Sequence, residues 1–119
     1  TISGGGGGGV VYDERHYNFP GNLRVQAGTT RWYIQNNTSL QRIRAVLNSA
    51  PLGSNAVINV LKNNAVLQTI TIPQNQVLVS INTSNTNFQL GDYITVDVTQ
   101  IGTNAPGTEL VVSFFYNYT

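Results

Sequence analysis

Asp92-Tyr93-Ile94-Thr95-Val96-Asp97-Val98-Thr99-Gln100 decides the fold class. Ile94, Val96 and Val98 fall on one side of an extended chain and Tyr93, Thr95, Asp97 and Thr99 on the other, the period of two that a half-buried β-strand requires. Residues 40–47 repeat the pattern, with Ile43, Ala45 and Leu47 expected inward and Arg42 and Arg44 outward. Leu23 and Val25 against Arg24 and Gln26 read as a shorter version. Asn63-Asn64, between the apolar runs 57–61 and 66–72, predicts a two-residue hairpin, because Asn tolerates the positive φ of such a turn.

No stretch holds a helical period over three turns, and short apolar runs alternate with turn signals to the C-terminus. Leu90-Gly91-Asp92 and Gly102-Thr103-Asn104-Ala105-Pro106-Gly107 are further turns, the second leading into an aromatic-rich final strand with Phe114, Phe115, Tyr116 and Tyr118. The polar run Asn82-Thr83-Ser84-Asn85-Thr86-Asn87 reads as a loop that, with Asn36-Asn37-Thr38-Ser39, forms one end of the molecule. Roughly eight strands with short connections predict an all-β, antiparallel β-sandwich, jelly-roll-like, over residues 10–119. Residues 1–9 form a glycine-rich arm or linker ahead of it.

The chain has 119 residues, 9% of them charged, and a net charge of +1. A charged share of about 25% is usual. Asn, Thr, Gln and Ser take its place, and neutral polar groups are cheaper to desolvate against protein or sugar than ions are. Such a surface suits lasting contacts. With so little net charge, neither nucleic acid nor a membrane surface is an expected partner. Arg15, Arg24, Arg31, Arg42 and Arg44 all lie in the first half; Arg24, Arg42 and Arg44 are read as a solvated or interface face, with a polyanion site as the alternative. No apolar run approaches the ~20 residues of a membrane span. Lacking Met throughout, the chain reads as processed or cut from a longer polypeptide.

Catalytic chemistry finds little footing. His16 is the only histidine, and no Gly-x-Ser-x-Gly turn offers it a nucleophile. One His without Cys supplies no usual zinc set, and Asp92 and Asp97, five apart on a strand, should face opposite ways. Nothing brings two of Asp13, Glu14, Asp92, Asp97 and Glu109 together as a glycosidase pair. The glycine run lacks the Gly-Lys-Ser/Thr ending of a phosphate loop. No enzyme activity, cofactor or metal is expected, and Asn-x-Ser/Thr matches in so Asn-rich a chain are read as chance. Sugar binding without catalysis is harder to dismiss. Trp32 and Tyr33 are adjacent, so one of them must face outward on a strand and could stack on a pyranose.

The order of motifs resembles a family of small β-sandwich modules in tailed-phage virion proteins. The matching pieces are Phe19-Pro20-Gly21-Asn22-Leu23, Ala27-Gly28-Thr29-Thr30-Arg31-Trp32-Tyr33, Ala50-Pro51-Leu52-Gly53-Ser54, Lys62-Asn63-Asn64, the 90–102 stretch and Pro106-Gly107-Thr108-Glu109-Leu110-Val111-Val112. They span about residues 19–116; Asn64 departs from a common glycine, and the arm lies outside. The resemblance implies a virion location, as a homotrimeric capsid decoration or cement subunit. A tail-fibre or baseplate domain is the alternative, and a carbohydrate-binding module contacting a host glycan the second. Major capsid or tail protein would be the neighbouring partner.

On that reading Ile2, Gly4, Gly5, Gly6, Gly7, Gly8, Gly9, Val10, Val11 and Tyr12 form an assembly arm. Ordering six glycines costs on the order of 10 kcal/mol, which contacts to neighbours must offset. Phe115, Tyr116 and Tyr118 are the expected subunit interface, since aromatic weight alternates across both faces of one strand. Trp32 and Tyr33 are the expected sugar contacts.

Overall fold

The computed structural model describes residues 12–119, so the arm residues Ile2, Gly4 to Gly9, Val10 and Val11 lie outside it. Eight strands are present among the described residues: β1 (Asp13–Asn22), β2 (Trp32–Tyr33), β3 (Thr38–Val46), β4 (Ala56–Lys62), β5 (Ala65–Ile72), β6 (Leu78–Phe88), β7 (Tyr93–Gln100) and β8 (Thr108–Tyr118). They form two four-stranded sheets of order β1-β8-β3-β6 and β2-β7-β4-β5. All neighbouring strands are antiparallel. The chain changes sheet at every connection except the β4–β5 hairpin, which is jelly-roll topology, as the sequence leads one to expect.

Alternation builds the core. Ile43 and Ala45 of β3, Ile58 and Val60 of β4, Ile94, Val96 and Val98 of β7, and Leu110, Val112 and Phe114 of β8 are buried between the sheets. Arg42 and Arg44 lie on the outer face of their sheet. The β4–β5 hairpin closes through Asn63 and Asn64 at φ 51 and 69, the pair of positive values that a two-residue type I′ loop requires.

Backbone bonds gather three turns at one end. The Gly91 amide donates to Ile34 O at 3.0 Å, the Asn63 amide to Tyr93 O at 2.9 Å and the Thr119 amide to Asn37 O at 2.9 Å. Asp92 pins this end, accepting from Asn63 Nδ2 at 2.9 Å and from the Gln89 amide at 2.8 Å, with Lys62 Nζ 3.7 Å away.

Three expectations need correction. The polar run 82–87 is not a loop but part of β6, where Asn82 pairs with Arg42, Thr86 with Leu40 and Asn87 with Ser39. Between Leu40 and Arg42 the register shifts, so three β6 residues oppose one of β3, a bulge that absorbs the irregular composition while β3 supplies backbone partners. Leu23 is buried but Val25 is 63% exposed, so 23–26 is no alternating strand. That segment touches β7 through a single bridge, Gln26 to Val98.

The third correction concerns the aromatic strand. Tyr116 and Tyr118 share the inward side with Phe114, and Tyr116 packs on Trp32 with ring centroids 5.2 Å apart. Phe115 alone faces out, and it is only 6% exposed because Arg42 and Arg44 of the same chain lie over its ring at 4.7 and 5.2 Å. The argument that an outward aromatic face demands a second subunit therefore fails at these residues. Neighbouring arginine stems already cover the ring.

Candidate functional site

A concavity lies at one long edge of the sandwich, where edge strand β1 of one sheet faces the two-residue strand β2 of the other. The sequence makes this edge open. Residues 24–31 run beside β7 without forming a ladder, and Gly28 presses on it so closely that a Cβ would sit 1.9 Å from Val96 O. Only glycine allows that approach. The Gly28 amide donates to Asp97 Oδ1 at 2.8 Å, and the Tyr17 hydroxyl, from β1, donates to Thr30 O across the edge. Burial holds the Tyr17 phenol above its ordinary pKa.

At the turn-rich end of this edge is a cleft of about 290 Å³ whose lining includes Arg15, Arg31, Trp32, Tyr33, Tyr116 and Tyr118, with Gln35 and Thr38 beside them. Trp32 is 6% exposed and packed on Phe114 with centroids 5.4 Å apart. Tyr33 at 46% and Tyr118 at 53% exposure are the accessible rings. Tyr116 meets Tyr118 nearly edge-on at 5.7 Å. Burial first, and then a side-chain hydrogen bond with Tyr118, raise the Tyr116 phenol, so it stays protonated at neutral pH. Arg15 lies over the Trp32 ring at 5.7 Å, while Arg31 lies over Tyr93 at 4.4 Å and donates from Nη1 to the Tyr33 hydroxyl at 3.0 Å. Flat apolar faces ringed by guanidinium and amide donors can stack on a sugar ring and hydrogen-bond its hydroxyls.

The structure brings Trp32 and Tyr33 into one cleft with Tyr116 and Tyr118, which the sequence suggests as interface instead. It does not bring Phe115 there. Tyr12, half-buried, lies elsewhere, lining a shallow depression with Gln41, Arg42 and Asn82. Arg15 and Arg31 escape sequence reasoning, because nothing local says that β1 and β2 face one another; the one signal is that Arg31 stands next to Trp32.

A second constellation lies on the outer face of the β1–β8 pair. His16 Nδ1 is 2.8 Å from Ser113 Oγ, and its Nε2 is 3.5 Å from Glu14 Oε1. The order acid, imidazole, hydroxyl resembles a hydrolytic triad, but Ser113 is buried beneath His16 in the middle of β8. Its strand is laddered on both sides, to His16 and to Arg44, so backbone amides there are engaged rather than aimed at a developing oxyanion. Among the described residues no group of three or more His, Cys, Asp or Glu could hold a metal ion.

The chain matches no protein-family model and no curated protein. Its fold is similar to the crystal structure of the GH26-CBM35 β-(1,4)-mannanase of Podospora anserina, with a TM-score of 0.50 at 11% sequence identity. The match covers 89% of this chain and 28% of that one. At that identity the likeness bears on the fold alone. The class defined by fold and site is a jelly-roll β-sandwich with an aromatic, arginine-rimmed cleft at its β1–β2 edge.

Proposed function

We propose that the chain is a non-catalytic glycan-binding module that takes a sugar in the cleft of Tyr33, Trp32, Tyr116 and Tyr118. One observation carries the reading: four aromatic side chains from β2 and β8 converge with Arg15, Arg31 and Gln35 on a single cleft, and two of the rings are left half exposed. A sandwich does not need exposed tyrosines for its core, and Tyr and Trp present large contact area at small entropic cost. The fold shared with a mannanase, a protein acting on a polysaccharide, accords with this reading without carrying it. Glycan-array binding followed by titration tests it. Saturable binding should fall at least tenfold in Tyr33→Ala and Tyr118→Ala while the circular dichroism spectrum is kept. No saturable ligand, or undiminished binding by both variants, overturns the reading.

A second reading keeps the chain in a virion, as a trimeric capsid decoration or as a tail-fibre or baseplate domain. It is favoured by the motif order across residues 19–116 and by Tyr12, which carries the chain against the outer face at Arg42 and Asn82 where an arm would depart. Deleting residues 1–9 should leave the sandwich folded, since the described core lies after them, and should weaken attachment to the particle. A virion module that contacts a host glycan satisfies both readings.

A further inference from the structure

The cleft does not end at Trp32. A second depression, lined by Arg15, His16, Tyr17, Asn18, Thr30 and Trp32, shares Arg15 and Trp32 with it. A third, reaching Pro20 and Arg24, shares Tyr17, Asn18 and Thr30 with the second. The three follow one another along the seam between β1 and residues 24–33, which the Tyr17 hydroxyl spans where the second and third share Tyr17 and Thr30. Its length follows from register. Gln26 stands opposite Val98 and Trp32 opposite Ile94, four β7 residues or ~13 Å apart, and Arg24 and Tyr33 extend the seam to about 20 Å.

Charge along this groove is one-sided. Arg15, Arg24 and Arg31 line it, half of the chain's six Lys and Arg, and no Asp or Glu does. Three carboxylates stand beside it: Asp97, occupied by the Gly28 amide, Asp13, whose charge reaches Tyr116, and Glu14, 3.5 Å from His16 Nε2. Among the described residues the ion pairs are His16–Glu14 and Lys62–Asp92, so all three groove arginines lack a carboxylate partner.

Building on the glycan-binding reading, we infer that the ligand is a linear polyuronate lying along the whole seam, with its carboxylates on Arg31, Arg15 and Arg24. Guanidinium forks suit carboxylates, and Asn18, Gln26, Thr29 and Thr30 between them offer neutral partners for hydroxyls. Three arginines without the clustered Lys and Arg that a phosphate backbone calls for favour an acidic sugar chain over a nucleic acid.

Trp32, the sole tryptophan, sits where the first two depressions join, so its emission reports occupancy. The probes are polygalacturonate and alginate, with their oligomers, beside mannan oligomers and a single-stranded oligonucleotide. The expected result is that a polyuronate binds, more tightly as its oligomers lengthen and more weakly as salt rises. Arg24→Ala should cost long oligomers about tenfold in affinity. The disaccharide, confined to the aromatic cleft, should be unaffected. Tighter binding of mannan oligomers, or full-length affinity unchanged by Arg24→Ala, overturns the polyuronate while leaving a glycan module standing. Binding of the oligonucleotide alone overturns it too, and binding of no sugar of either kind removes both readings.

Discussion

The two long edges of this sandwich are built from the same jelly roll and differ in almost everything else. At one, β5 and β6 are joined by the short turn 73–77, and the whole run 63–91 contains no charged residue. Val66, Val77 and Leu78 are exposed there, isolated apolar side chains of an ordinary surface. At the other, β2 is cut to two residues, Gly28 lies against the Val96 carbonyl, and three arginines and six aromatic residues line a groove. At the first edge β5 and β6 stay laddered along their length to β4 and β3. Over 24–31 ladder bonds are given up at the second, and the hydroxyl of Tyr17 and the carboxylate of Asp97 replace part of them.

Truncating a core residue from each side should separate stability from binding most strongly. Phe114 is fully buried under Trp32, and Ile70 of β5 is fully buried on the closed side. Phe114→Ala should cost about 3–5 kcal/mol and Ile70→Ala about 2–5, read from urea midpoints. Only Phe114→Ala should also abolish glycan binding under conditions where both variants are folded. Equal loss of binding in both would mean that the edges do not act separately.

Gly28→Ala is the next test, since its Cβ meets backbone rather than a yielding side chain. An expected loss of about 1–3 kcal/mol reflects the 24–31 segment lifting from β7. Groove binding should weaken with it, while Tyr17→Phe, which loses one hydrogen bond, should cost about 1 kcal/mol.

Much of the fold was legible because alternation is local: β7, β3 and the Asn63-Asn64 turn follow from their own residues. β6 was not, because Asn82 to Asn87 are loop-like in composition and become a strand only through β3. Trp32 beside Tyr33 was legible as an inward–outward pair. The inward side of Tyr116 and Tyr118 was not, since a strand rich in aromatics on both parities gives no sign of which side the other sheet occupies. The gathering of Arg15, Arg24 and Arg31 is tertiary, created where β1 and the 24–33 segment cross.

Acid should reveal the pinned end. Hydrogen bonds from the Gln89 amide and then Asn63 lower the Asp92 pKa below its ordinary 3.8. A depressed carboxylate contributes stability above its unfolded pKa and loses it as pH falls through the folded value. Stability should therefore drop below about pH 4 with a slope that Asp92→Asn lacks, measured by urea midpoints across pH 2–6. The smallest effect belongs to the uncharged edge. Val66→Thr and Leu78→Thr should stay within about 0.5 kcal/mol of the parent and leave glycan affinity unchanged.

The central claim, that the open β1–β2 edge is the binding surface, is tested most directly by amide chemical-shift mapping during titration with the tightest glycan found. The account predicts saturable shifts at Arg15, Thr30, Trp32, Tyr33 and Tyr118, with Val66, Val77 and Leu78 unmoved. Shifts gathered at the β5–β6 edge, or none anywhere at saturating sugar, would contradict it.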